Sequence, residues 1–154
     1  MMDRADAIER LRTMPGRLRS ALAREAGGQT NGAGAGEWSA REVVDHIRAT
    51  DVLHTGHIFM IVAGREPPIA GGDERELAER AGFAEDDLET ALTAYAARRG
   101  ELVRLLVRLA EAGWQRAGVH PAWGRTTIER YARHVAAHEG EHLAQIERLP
   151  HPDR

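Results

Sequence analysis

Apolar residues recur every three or four positions along four long segments, and no stretch sustains the alternation of a strand, so the pattern predicts an all-α fold. The first segment, about residues 4–24, has Ile8, Leu11, Leu18 and Leu22 as its stripe, and Pro15 followed by Gly16 predicts a kink or a split in its middle. It runs into "GGQTNGAGAG", residues 27–36, whose composition predicts a surface loop. The second segment opens on "WSARE". Ser39 and Glu42 have the spacing of a capping box, and Trp38 just before it is placed to staple onto Val43. Its inward stripe reads Val43, His46, Ile47, Thr50, Leu53, His54, His57 and Ile61, and it stops near Ala63.

A long connection, residues 64–85, separates the second helix from the third, with "DERELAERAGF" a candidate for a short extra helix. The third helix is expected to cap at Asp86 or Asp87. Leu88, Leu92, Tyr95, Arg99, Leu102, Leu106 and Leu109 then follow an alternation of four and three, the seam of a helix packed at a shallow angle. Arg99 interrupts this seam, either snorkelling its head to water over a packed stem or serving a polar role inside the bundle. After "EAGWQRAGVHPAWG", Thr126 with Glu129 has the spacing of a second capping box. The fourth helix buries Ile128, Tyr131, Val135, His138, His142, Ile146 and Leu149, with His134 at the margin of the stripe.

His138 and His142 stand one turn apart on one face, roughly 5–6 Å between Cβ atoms, close enough for both imidazoles to reach one ion. His46 is the natural third ligand. It lies about seven residues inside the start of the second helix and His142 about seven inside the end of the fourth, so at ~1.5 Å per residue both sit about 10 Å deep. The depths match only if those helices are antiparallel. If the third and fourth helices are also antiparallel, the second and third must be parallel, and the connection at 64–85 is the crossover such a bundle needs.

Composition narrows the chemistry. With no cysteine there is no disulfide, no thiolate nucleophile and no thiolate metal site, so a metal must be held by imidazole or carboxylate. Two readings of the inward histidines stay open on pattern alone: hydrogen-bonded core imidazoles, or ligands of an ion. An unpartnered imidazole in an apolar bundle costs about 1–3 kcal/mol, which weighs against three idle ones. A carboxylate-bridged di-iron site is a third arrangement, since Glu139 with His142 is an E-x-x-H pair and Asp51 with His54 loosely imitates one. The first and third helices offer it no inward Glu: Glu9, Glu89 and Glu101 all flank apolar positions.

Length, at 154 residues, fits one domain spanning 1–154. Aromatics are only 5%, so Leu, Val, Ile and Ala must fill the core. The net charge of −3 comes from interspersed acids and arginines, with no lysine, and gives no electrostatic case for nucleic acid. The longest apolar run, "IFMIVAG", is too short to span a bilayer, and "MMDRADAIERLRTM" lacks the apolar core of an export signal. A cytoplasmic protein without a membrane partner is expected.

The pieces "EWSAREVVDHIRATD", "WQRAGVHPAWGRTT" and "HVAAHEGEHLAQI", in this order over residues 38–146, resemble the DinB/YfiT-like superfamily of metal-binding four-helix bundles. The resemblance implies a long crossover between the second and third helices, a three-histidine metal site on His46, His138 and His142, and frequent homodimers. Some relatives resemble thiol S-transferases or thiol-dependent isomerases that use a low-molecular-weight thiol as co-substrate; this chain has no room for the additional domain of the larger isomerases.

Three neutral imidazoles leave an ion's charge uncompensated and coordination positions open, the layout of a catalytic rather than a structural site. Zn, Ni, Fe, Mn and Co all suit such ligands. The expectation is a metal-dependent enzyme acting on a small molecule, an S-transferase or a hydrolase; the alternative is a non-catalytic bundle that binds metal or a small ligand. His134 and Asp51 are the candidate catalytic helpers, with Tyr131 and Gln145 nearby, each set against a plain structural role.

Overall fold

The computed structural model describes residues 2–25 and 38–149. The predicted loop at 27–36 lies outside the described residues. The architecture is all-α as expected, with four long helices: α1 (Arg4–Glu25), α2 (Ala40–Ala63), α4 (Leu88–Arg108) and α6 (Ile128–Glu147). The short helices α3 (Glu74–Arg80) and α5 (Glu111–Trp114) and a hairpin of β1 (Ala117–His120) and β2 (Gly124–Thr127) lie between them. No described helix is long and apolar enough to cross a membrane.

Most helix starts are those the sequence marks. Ser39 Oγ accepts from the Glu42 amide at 3.2 Å while the Glu42 carboxylate accepts from the Ser39 amide at 2.8 Å, so the α2 capping box is complete. Asp87 caps α4 through the Thr90 amide at 2.8 Å, and Asp73 caps α3 inside the crossover. The second predicted capping box is corrected: the N-cap of α6 is Thr127, whose Oγ1 accepts from the Arg130 amide at 3.2 Å. Thr126 belongs to β2, and the Glu129 carboxylate is taken by Arg4, Gln115 and Arg133. Pro15 does not split α1, which runs unbroken from Arg4 to Glu25 with Leu11, Met14 and Leu18 on both sides of the proline fully buried in the core.

Paired side chains give the direction of every helix. His46 meets His138 and His57 meets Tyr131, so α2 and α6 are antiparallel. Arg41 reaches the Asp86 carbonyl and Asp51 pairs with Arg99, so α2 and α4 are parallel and the crossover is real. Arg19 pairs with Glu89 and Arg4 with Glu111, which sets α1 against α4. The crossover is tied down near its start: Ile69 donates its amide to the Val119 carbonyl and Val119 donates to Pro67, both at 2.9 Å, so the strap lies parallel to β1. Gly118 makes this approach possible, since a Cβ there would stand 2.8 Å from Ile69 Cδ1 and 3.0 Å from Ile61 Cγ1.

The α4 seam is buried at Leu92, Tyr95, Arg99, Leu102 and Leu106 as its spacing predicts. The core nevertheless falls into two apolar clusters. One collects Leu11, Ile58, Ile61, Leu102, Leu106, Ile128 and Val135. The other collects Leu18, Val43, Ile47, Leu92, Leu143 and Ile146. Between them on α2, α4 and α6 stand Asp51, Arg99 and Glu139, all buried.

Candidate metal centre

The antiparallel packing of α2 on α6 brings the first third of one helix beside the second half of the other. His46, His138 and His142 meet there, half-buried at the edge of the core rather than inside it. His138 Nε2 lies 3.4 Å from His46 Nε2 and 3.1 Å from His142 Nε2, and one ligand atom from each histidine falls within 4.8 Å of the others. Nitrogen ligands of a tetrahedral ion, each ~2.0–2.1 Å from it, stand about 3.3 Å apart. The residues therefore fit a shared divalent ion, and among the described residues they are the one such group.

Electrostatics favours the ligand form. Burial, then the neighbouring His142, lowers the pKa of His46. Burial, then His142, His46 and His134, brings His138 down to about 4. Both rings are thus held neutral, with a lone pair to offer. The tautomer of His142 is set by Gln145, whose Oε1 accepts from Nδ1 at 3.0 Å and leaves Nε2 bare toward the other two rings. His138 Nδ1 is buried with no partner among the described residues, so only one ligand is oriented by a second hydrogen bond of this kind.

Trp38 forms one wall. Its ring stacks on His142 at 6.1 Å and leans on His46 at 5.0 Å, a second use for a residue whose sequence position suggested only a staple. A cavity of about 210 Å³ opens beside His46, between Trp38 and the α3 residues Glu74, Arg75 and Ala78, with Glu42 and Asp45 on its acidic side. The crossover thus supplies the far wall of the opening that reaches His46.

On the other side a row of rings leads from the site to the hairpin. His134 stacks on His138 at 5.9 Å, His54 stands edge-on to both, and Trp123 packs on His134 at 4.4 Å. His120 stacks on Trp123 at 4.2 Å, and His57 Nδ1 is 2.8 Å from the Tyr131 hydroxyl. His134 is therefore beside the triad, as a catalytic helper must be. His54 is as close, and its place on the inward stripe was the only signal for it.

Asp51 is corrected. It is neither a solvated helix residue nor free for catalysis: its Oδ1 accepts from Arg99 and Thr55 and its Oδ2 from Arg98, in a fully buried setting. Arg99 does not snorkel; its head is inside the bundle and paired with Asp51 and Glu139. Glu139 is engaged by Arg99 and Tyr95 and joins no metal-holding group among the described residues, so the di-iron arrangement has no support there. Burial, aided by Asp51, pushes the Glu139 carboxyl up to about 7 against the pull of Arg99 and Tyr95.

No curated protein matches this sequence. Among solved structures, YfiT from Bacillus subtilis, described as "a probable metal-dependent hydrolase with an unusual four-helix bundle topology", matches with a TM-score of 0.82 at 22% identity. The match covers 93% of this chain and 83% of that one, and shows a shared fold. The family model of the DinB superfamily matches residues 10–146, most of the sequence, and the chain belongs to the DinB superfamily.

Proposed function

We propose that this protein is a metal-dependent enzyme acting on a small molecule, with one divalent ion held by His46, His138 and His142. The carrying observation is the convergence of their nitrogens, 3.1 and 3.4 Å apart, from two antiparallel helices. When bound, the ion supplies Lewis acidity at a site that three neutral ligands leave electrophilic. Trp38 and α3 shape the cavity that admits a substrate, His46 meets it at the rim, and Gln145 keeps His142 oriented. His54 and His134 line the opposite side as unprotonated polar groups, since burial lowers the pKa of both.

Hydrolysis is the reaction favoured here, supported by the description of the YfiT structure. Transfer of a low-molecular-weight thiol is the second reading. It is supported by the lack of any cysteine, which leaves the nucleophile to be brought by a co-substrate. Elemental analysis of purified protein, followed by assays of ester hydrolysis and of thiol transfer to an electrophilic dye, separates the two. Activity lost with a chelator and in His138→Ala supports the enzyme; an ion retained with no turnover in either assay replaces it with a binding protein.

A further inference from the structure

Between the two apolar clusters, Arg99 Nη2 donates to Asp51 Oδ1 at 2.7 Å and to Glu139 Oε1. Arg98 holds Asp51 Oδ2 at 3.0 Å, and the Tyr95 hydroxyl donates to Glu139 Oε2 at 2.9 Å. The side chains of Asp51, Arg99 and Glu139 are at most 1% exposed.

As a device for stability this is a poor one. Desolvation costs several kcal/mol per ion, and apolar residues of the same volume often do as well or better. Two further Arg99 donors, Nε and Nη1, are buried with no partner among the described residues, which adds to the cost. What the charged trio does that an apolar one does not is fix register. Apolar faces tolerate small slides, whereas a guanidinium nitrogen shared between two carboxylates loses the charge-assisted bond to whichever of the two helices moves along its axis.

The helices so gripped are the two that carry the histidines. Asp51 lies on α2 beyond His46, and Glu139 lies on α6 between His138 and His142. Axial movement of α2 against α6 changes the separation of His46 from the other two rings directly.

We propose that Arg99 is a positioning residue for the metal centre: by holding Asp51 and Glu139 together it sets the register of α2 against α6, and so the spacing of the three imidazoles. This rests on the metal-site reading above. Arg99 pairs with none of the three ligands; its effect passes through the two carboxylates and their helices.

The test is Co(II) affinity, by competition with a chromophoric chelator, together with the visible spectrum of the Co(II) protein and the melt of the chelator-treated protein. The key variant is Asp51→Asn/Arg99→Met/Glu139→Gln, which keeps the volume and removes the buried charges. It is expected to fold with a cooperative melt yet bind Co(II) about tenfold or more weakly, with a shifted visible band. Asp51→Asn alone, a milder change that loosens only the α2 side, is expected to move affinity and band in the same direction. Arg99→Lys, which keeps a cation between the carboxylates, is expected to recover part of the loss. Unchanged affinity and band in either neutralised variant, whatever its melting temperature, overturns the proposal. A wild-type protein that binds no divalent ion defeats the metal-site reading itself and this proposal with it, before any variant is made.

Discussion

Replacing His54 by Gln removes a half-buried titrating group whose contribution has a definite sign. Burial, then His134, His138, His57 and Arg99, lowers the folded pKa of His54 from 6.5 to about 3. The unfolded chain takes up the proton near 6.5 and the folded chain does not, so this histidine costs nothing above 6.5 and costs stability progressively as the pH falls toward 3. At pH 4.5 the full linkage, ~1.36 kcal/mol per pH unit, comes to about 2.7 kcal/mol; partial exposure of the ring brings the expected figure to about 1–2 kcal/mol. The assay is urea unfolding of chelator-treated wild type and His54→Gln at pH 7.5 and pH 4.5. Charges not coupled to His54, Glu139 among them, cancel in the difference. With a slope of ~1–3 kcal/mol per M, the midpoint of the variant should gain about 0.5–1 M on wild type between the two pH values. A difference that does not change with pH refutes the half-buried, neutral state assigned to His54.

Ni(II) or Zn(II) at about a hundred times its dissociation constant should add ~2.7 kcal/mol, raising the wild-type melting temperature by about 5–10 °C, with no rise in His142→Ala. Calorimetry with and without the ion checks this. Gly118→Ala drives a methyl group into Ile69 and Ile61 and should lower stability by about 1–3 kcal/mol in urea titrations while leaving metal stoichiometry intact. Ser39→Ala removes one half of the α2 capping box and should cost about 1 kcal/mol, read from the same titrations; an unchanged midpoint would show that the cap is not limiting.

The helices and the histidine triad were legible because each is written in a local period. The spacing of Leu92, Leu102 and Leu106 marks α4, the Ser39–Glu42 pair starts α2, and comparing depths along two helices paired His46 with His142. The hairpin was not legible, because its two four-residue strands bury mainly their ends nearest the helices and show no sustained alternation. Arg99 was seen to interrupt a seam, but whether a long cation on a seam bends outward or stays inside depends on what faces it from other helices. Asp51 and Glu139 face it from α2 and α6, and nothing local in the sequence joins the three. For the same reason Asp51 was misread as a catalytic helper: its place beside His46 in sequence hid its opposite partners in space.

The charged partition across the bundle also divides its mechanical response. Leu18 shares its cluster with Val43 and Ile146, and Leu106 shares the other with Ile61 and Val135. Leu18 and Leu106 belong to separate clusters, so the free-energy losses of Leu18→Ala and Leu106→Ala should simply sum, within about 0.5 kcal/mol, in the double variant. The half that holds Leu106 can therefore be repacked without touching the half against which Trp38 and the imidazole site rest.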